Sequence, residues 1–348
     1  MAGRFKGLAL TFDDILLEPA KSSVLPAEIS LKTQLTKKIK IDIPIISSAS
    51  DTVTEFPMAL AIAKVGGVGV IHRNLSIKKQ VEEAKKVKKF DRNLMVAAAI
   101  GAGEDTLDRS EALVKVGVGI LVIDTAHGHH KNVLKSLILL RKTFPKIQII
   151  VGNIATSEAA YDLIKHGADA IKVGIGSGSI CTTRDVTGVG VPQFTAIDQC
   201  SKVAKRYKVP VIADGGIVYP GDIAKSLAAG ANAVMIGNML AGTDESPGKI
   251  VVRKGKRYKR YRGMGSYEAM KVRGNDRYFQ KEVPEGVSGM VPYRGSVKEV
   301  VRNLTLSLKT AMGYYGAKNI SDLWKVKYWQ ITGAGMKESH THSIMIDK

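Results

Sequence analysis

The chain has 348 residues, 45% of them apolar, with two cysteines and a formal net charge of +20. Two cysteines exclude a disulfide framework, and no run reaches the ~18 uninterrupted apolar residues of a membrane span, so a reducing, cytoplasmic setting is expected. The length exceeds a typical domain but suits one α/β barrel, and the charge fits a field that draws in phosphorylated metabolites, with nucleic acid as the weaker alternative.

In chain order, the N-terminal MAGRFKGLALTFDD has only a short apolar patch before Asp13 and Asp14 and lacks the long apolar region of a signal peptide. Eight short apolar runs then follow, at 43–49, 67–73, 94–101, 118–125, 147–154, 169–176, 209–216 and 232–239. They are β-branched and apolar throughout rather than alternating, as parallel strands buried on both faces should be. Amphipathic stretches such as 131–144 and 157–168 lie between them. Several close on a glycine that reads as a helix C-cap, as in KVGG, KVGVG, KHGA and AAGA. The lysines at 78–92 alternate with acids and read as an exposed helix face. Those at 253–262 carry two tyrosines, a pattern able to stack bases.

Eight β-α units in order predict a (β/α)₈ barrel, with a doubly wound sheet as the lesser alternative. In such barrels the active site is built on the loops after the strands, so the polar residues closing each run become candidates. These are Ser48 and Ser50, His72 and Arg73, Asp124, Asn153, Asp214 and Asn238. The sixth run leads into GIGSGSICTTR (174–184), where glycines at that density imply that the backbone approaches something closely. Cys181 lies in that polar loop, poorly placed for an inert packed thiol. Cys200, in the helix-like AIDQCSKVAKRY, is expected to be one. After the eighth run, residues 239–295 form an insertion long enough to act as a lid. No GxGxxG opens a helix in a Rossmann unit, and His127, His129 and His130 lack the convergent ligands of a zinc site.

These pieces resemble the inosine monophosphate dehydrogenase and GMP reductase family. The matching segments run in order from LTFDDILLEP through DTVTE, GVGVIHRN, IDTAHGH, VGNIAT, GIGSGSICTTR, TGVGVPQ, ADGGI, GDIAKSLAAGA, VMIGNMLAG, YRGMGS and DRYFQ to ITGAGMKESH. DRYFQ, PEGVSG and IDTAHGH side with the dehydrogenase branch over the reductase. Near 88–94, where most dehydrogenases carry a pair of CBS modules, KKVKKFDR passes directly into LMVAAAIG, so a single barrel (1–348) without them is expected.

The resemblance implies that Cys181 attacks C2 of inosine monophosphate (IMP), that a hydride passes to NAD, and that a covalent thioimidate is then hydrolysed. It places Arg277 and Tyr278 of the flap, with Thr183, at the hydrolysis step. It gives Ser48, Ser179, Asp214, Gly216, Gly237, Asn238 and Tyr261 to the sugar phosphate of IMP, and Met264, Gly265 and Glu285 to the purine edge. Asn238 stands where many relatives have serine. Asp124, Thr125, Gly174 and Gly176 fall to NAD, Asp124 on the nicotinamide ribose. A potassium ion is implied on carbonyls of Gly176, Gly178 and Cys181, completed by Glu338, Ser339 and His340 of a neighbouring subunit in a homotetramer. At Ser50 the family usually has a methionine packed on the purine, and the serine removes that apolar surface.

Overall fold

The computed structural model describes residues 4–273 and 283–344. All eight apolar runs are strands: β1 Ile45–Ser47, β2 Val68–Ile71, β3 Ala97–Ile100, β4 Ile120–Asp124, β5 Gln148–Ile154, β6 Ala170–Val173, β7 Val211–Asp214 and β8 Ala233–Ile236. They pair in parallel and in chain order, and β8 closes on β1 through Val234↔Ile45. The expected (β/α)₈ barrel is therefore the fold. The strands are shorter than the runs because the run ends turn outward. The sixth stops at Val173, since Gly174 adopts φ +150 and leaves the sheet.

One helix follows each strand and covers it: α1 Phe56–Lys64, α2 Ile77–Phe90, α3 Thr106–Lys115, α4 Lys131–Thr143, α5 Ser157–Lys165, α6 Gln193–Arg206, α7 Pro220–Ala228 and α8 Val297–Tyr315. Their ends obey local rules. Ser76, Thr156 and Ser296 accept the first-turn amides of Lys79, Ala159 and Glu299. The predicted C-cap glycines Gly66, Gly117, Gly167 and Gly230 all take positive φ. The amide after each then bonds back five residues, as Ala168 does to the Leu163 carbonyl.

Side chains alternating along the strands separate two cores. Val68, Val70, Ala97, Ala99, Ile120, Val122, Ile150 and Ile212 fill the barrel interior, while the intervening residues pack beneath the helices. The insertion after β8 forms a three-stranded antiparallel sheet of β9 Ile250–Arg253, β10 Lys256–Arg262 and β11 Ser288–Pro292. The basic stretch 253–262 is thus a hairpin, turning at Lys254 and Gly255, both with positive φ. The sheet lies over the C-terminal ends of the barrel strands, where Cys181 bridges to Gly286. α2 ends at Phe90, and β3 begins seven residues later at Ala97 with no module between them.

Candidate active site

Period-two alternation places Asp124, Lys172 and Asp214 above the interior residues Val122, Ala170 and Ile212 of their own strands. The three side chains therefore meet at the top of the barrel. Lys172 Nζ lies 2.9 Å from Asp124 Oδ1 and 2.5 Å from Asp214 Oδ2. It also donates to Asn153 Oδ1 at the end of β5, whose Nδ2 donates to Asp214 Oδ2 at 2.9 Å. The Asp214 carboxylate thus faces this cluster. Asn153 and Asp214 are held in place partly by backbone: Asn153 Nδ2 donates to Gly174 O, and Gln193 at the start of α6 donates to both Val173 O and Asp214 O.

The glycine-rich loop runs against the β7 end of this cluster. A Cβ at Gly174 would fall 1.9 Å from Asp214 O, one at Gly215 would fall 2.4 Å from Ser177 Oγ, and one at Gly176 would strike Arg184. What the loop approaches so closely is the barrel's own chain. Gly178 is different, because a Cβ there would meet only Cys181 Cβ at 3.6 Å. Cys181, half-buried, follows this turn, with its amide bonded to Gly178 O. Its Sγ lies 3.1 Å from Thr183 Oγ1, which donates to Glu285 Oε2 at 2.8 Å. A hydroxyl has one proton, and that of Thr183 is committed to Glu285, so the thiol donates to Thr183. Thiol, hydroxyl and carboxylate form a continuous proton path between the barrel and the inserted sheet. Backbone bonds lock the two together: Thr182 N to Glu285 O and Val287 N to Ile180 O.

A third group gathers beside them. Tyr261 on β10 is buried, and burial raises its hydroxyl's pKa despite a hydrogen bond with Ser179. Asn238 Nδ2 donates to Ser179 Oγ at 3.2 Å. Gly237 lets them converge, because a Cβ there would lie 2.5 Å from Tyr261 Oη and 3.1 Å from Ser48 Oγ. Ser48 Oγ is buried with no hydrogen-bond partner among the described residues, an acceptor and donor left for a ligand.

These groups border one cavity of about 570 Å³, within the usual range for a small-molecule site. Of the predicted residues, Ser48, Asp124, Thr125, Gly174, Gly176, Gly178, Cys181, Thr183, Asp214, Tyr261, Met264, Gly265 and Glu285 line it, and Ser50 with them. Thr125 donates its hydroxyl to Gly152 O, and Ser50 Oγ sits 3.2 Å from Thr52 Oγ1. Ser179, Gly237 and Asn238 do not line it but adjoin Tyr261, directly or through Ser179. Gly216 lies against Phe12 and Gln193. Glu338, Ser339 and His340 do not line the cavity of their own chain. Ser339 caps its own helix by donating to Gly335 O, and the His340 ring rests 4.9 Å from that of Tyr219. Arg277 and Tyr278 lie outside the described residues. Among the described residues no cluster of three His, Cys, Asp or Glu side chains could hold a metal, and His129 instead pairs with Asp162 at 2.7 Å.

Two features had been missed. Lys172 was legible as the one cation inside an apolar strand run, AIKV. Arg262, the arginine of YRGMGS, is bonded to Asp51 at 2.7 Å and had no comparable signal, since arginines abound in that hairpin.

Comparison with known proteins gives the family. The family model described as IMP dehydrogenase / GMP reductase domain matches residues 9–342. Proteins named inosine-5'-monophosphate dehydrogenase are similar over nearly their whole length. That of Cryptosporidium parvum is 47% identical over 98% of this chain and 97% of its own. That of Borreliella burgdorferi is 46% identical over 97% of each, and that of Bacillus subtilis 38% over 99% of this chain and 98% of its own. With the cysteine loop, the barrel and the inserted sheet all in place, the chain belongs to the IMP dehydrogenase / GMP reductase family.

Proposed function

We propose that this protein oxidises IMP to xanthosine monophosphate with reduction of NAD. The observation that carries the reading is the Cys181–Thr183–Glu285 chain at the rim of a cavity whose floor holds two carboxylates. The thiol's proton passes through Thr183 to Glu285 as Sγ bonds to C2 of the purine. Bound NAD supplies the acceptor for the hydride that leaves C2. The remaining thioimidate is opened by water, which adds at C2 and expels the Cys181 sulfur. Once Glu285 has released the thiol's proton to solvent, it can take a proton from that water through Thr183, and Arg277 and Tyr278 are assigned to the same step by resemblance.

For the substrate, Ser48, Ser179, Gly237, Asn238 and Tyr261 offer the hydroxyls, amide and backbone that suit a phosphate, and Gly216 is assigned with them by resemblance. Asp214 suits a ribose diol, and Met264, Gly265 and Glu285 the purine edge. The residues also fit a second nucleotide, since Asp124, Thr125, Gly174 and Gly176 border the same cavity as Cys181. Potassium needs only carbonyl oxygens, and Gly176, Gly178 and Cys181 supply them on a loop with room at Gly178. Glu338, Ser339 and His340 of a neighbouring subunit would complete that site in a tetramer. Among the described residues no helix is long and apolar enough to cross a membrane, and we assign the enzyme to the cytoplasm. The single barrel works without CBS modules.

The test is NADH absorbance on mixing the protein with IMP, NAD and potassium. NADH formation supports the reading. Consumption of NADPH with GMP instead would place the protein in the reductase branch, and turnover of neither pair would overturn an oxidoreductase role.

A further inference from the structure

A lysine on the interior face of a barrel strand is costly unless every ammonium proton finds an acceptor. At Lys172, 1% exposed, three acceptors surround Nζ: Asp124 Oδ1, Asp214 Oδ2 and Asn153 Oδ1. An ammonium has three donors, so its capacity is met. The acceptors come from β4, β5 and β7, and β4 and β7 are separated in the barrel by two other strands. No backbone pairing joins those two ends, whereas this one cation does. Gly152 lets the side chain sit there, because a Cβ at that position would fall 2.6 Å from Lys172 O and 2.7 Å from its Cβ. Burial lowers the ammonium's pKa, but the two carboxylates outweigh burial and hold it above the ordinary lysine value, so it stays charged. Without it, both carboxylates would lose the counter-charge that lies between them.

We propose that Lys172 is a positioning residue that sets the two nucleotide subsites together, orienting Asp124 and Asp214 at once so that each receives its ribose. The proposal rests on the assignment of Asp214 to IMP and Asp124 to NAD. A ribose diol on one carboxylate competes with the ammonium for that carboxylate's oxygens, and the shift is felt by the other carboxylate through the shared cation. Affinities for two different ligands thus depend on a residue placed to reach both only through their carboxylates.

The experiment compares steady-state constants of the wild type with Lys172→Met, Lys172→Arg, Asp124→Asn and Asp214→Asn, each checked for thermal unfolding. Asp124→Asn raises chiefly the KM for NAD and Asp214→Asn chiefly that for IMP, each with a smaller change in the other KM carried by the shared cation. Lys172→Met raises both, by about fivefold or more, the lower end of typical coupling between sites. Lys172→Arg, which keeps the charge, recovers part of both. Adding Asp124→Asn to Lys172→Met should cost less than the two changes multiplied, because they disable one unit. If Lys172→Met fails to fold, Lys172→Gln gives the same comparison with an amide donor retained. A Lys172 variant that lowers only the melting temperature, moves only one KM, or multiplies with Asp124→Asn overturns the proposal. NADH formation by the wild type separates the two failures. If wild type makes none from IMP and NAD, the functional reading falls and the bridge with it. If it does, an unmoved pair of KM values removes the bridge alone.

Discussion

Cys181 and Cys200 are the same side chain in opposite surroundings. Cys200 is fully buried on α6, and burial pushes its thiol up to about 12. Only the thiolate reacts, so Cys200 should stay inert at pH 8 while Cys181, half-buried beside Thr183, takes up alkylating agent. Mass spectrometry of the native protein treated with iodoacetamide should show one modified cysteine per chain, Cys181, protected by IMP. Modification of Cys200 first would contradict the assignment. The second chemical step can be isolated at Arg277. If it serves hydrolysis alone, Arg277→Ala should still release a burst of one NADH per site, with steady turnover reduced about 10²–10⁴-fold and the Cys181 adduct accumulating. Loss of the burst itself would move Arg277 into hydride transfer.

At the scale of elements, the 174–184 loop is fitted to the β7 end more than to any ligand, and its glycines can be told apart on that ground. Gly174→Ala would drive a Cβ into Asp214 O at a positive φ, an overlap that backbone must move to relieve. It should destabilise the protein by about 1–3 kcal/mol or more, read as a lower melting temperature. Gly178→Ala meets nothing closer than 3.6 Å and should leave the melting temperature unchanged. Lost potassium activation in a folded Gly178→Ala protein would then report on the cation, since the protein itself has room for the methyl. An equal fall in stability at both positions would show that Gly178 too serves the fold.

For the whole molecule, the decisive question is what a neighbouring subunit contributes. Glu338, Ser339 and His340 rest on the exterior of their own barrel and line none of its cavity. A chain ending at Lys337 should keep its fold, because none of the described residues it loses is buried, yet lose the difference in turnover between potassium and sodium. Light scattering should give a tetramer for the full chain. A potassium response that survives the truncation would assign the cation ligands to one subunit. The +20 charge acts at this scale as well. If it steers phosphorylated substrates, the KM for IMP should rise with ionic strength, because added salt screens exposed charge beyond about 10 Å.

The barrel was legible in the sequence because its signals are local. Eight uniformly apolar runs and the glycines two residues past four of the helices depend on neighbours within a few residues, and all eight strands stand where the runs predicted. The position of Cys181, after the sixth strand in a polar loop, was legible for the same reason. Pairing across the barrel was not. Thr183 and Glu285 are 102 residues apart and Lys172 and Asp214 are 42 apart, and only closure of the sheet and docking of the inserted strands bring them into contact. The glycine-rich loop shows the division in one segment: its composition announced a close approach, but that the approach is to Asp214 O and Arg184 was decided by how β6 and β7 lie side by side. Lys172 stood in plain view as a charge within an apolar run, yet the two carboxylates that make it tolerable come from strands the chain reaches before and after it, and the folded barrel alone selects them.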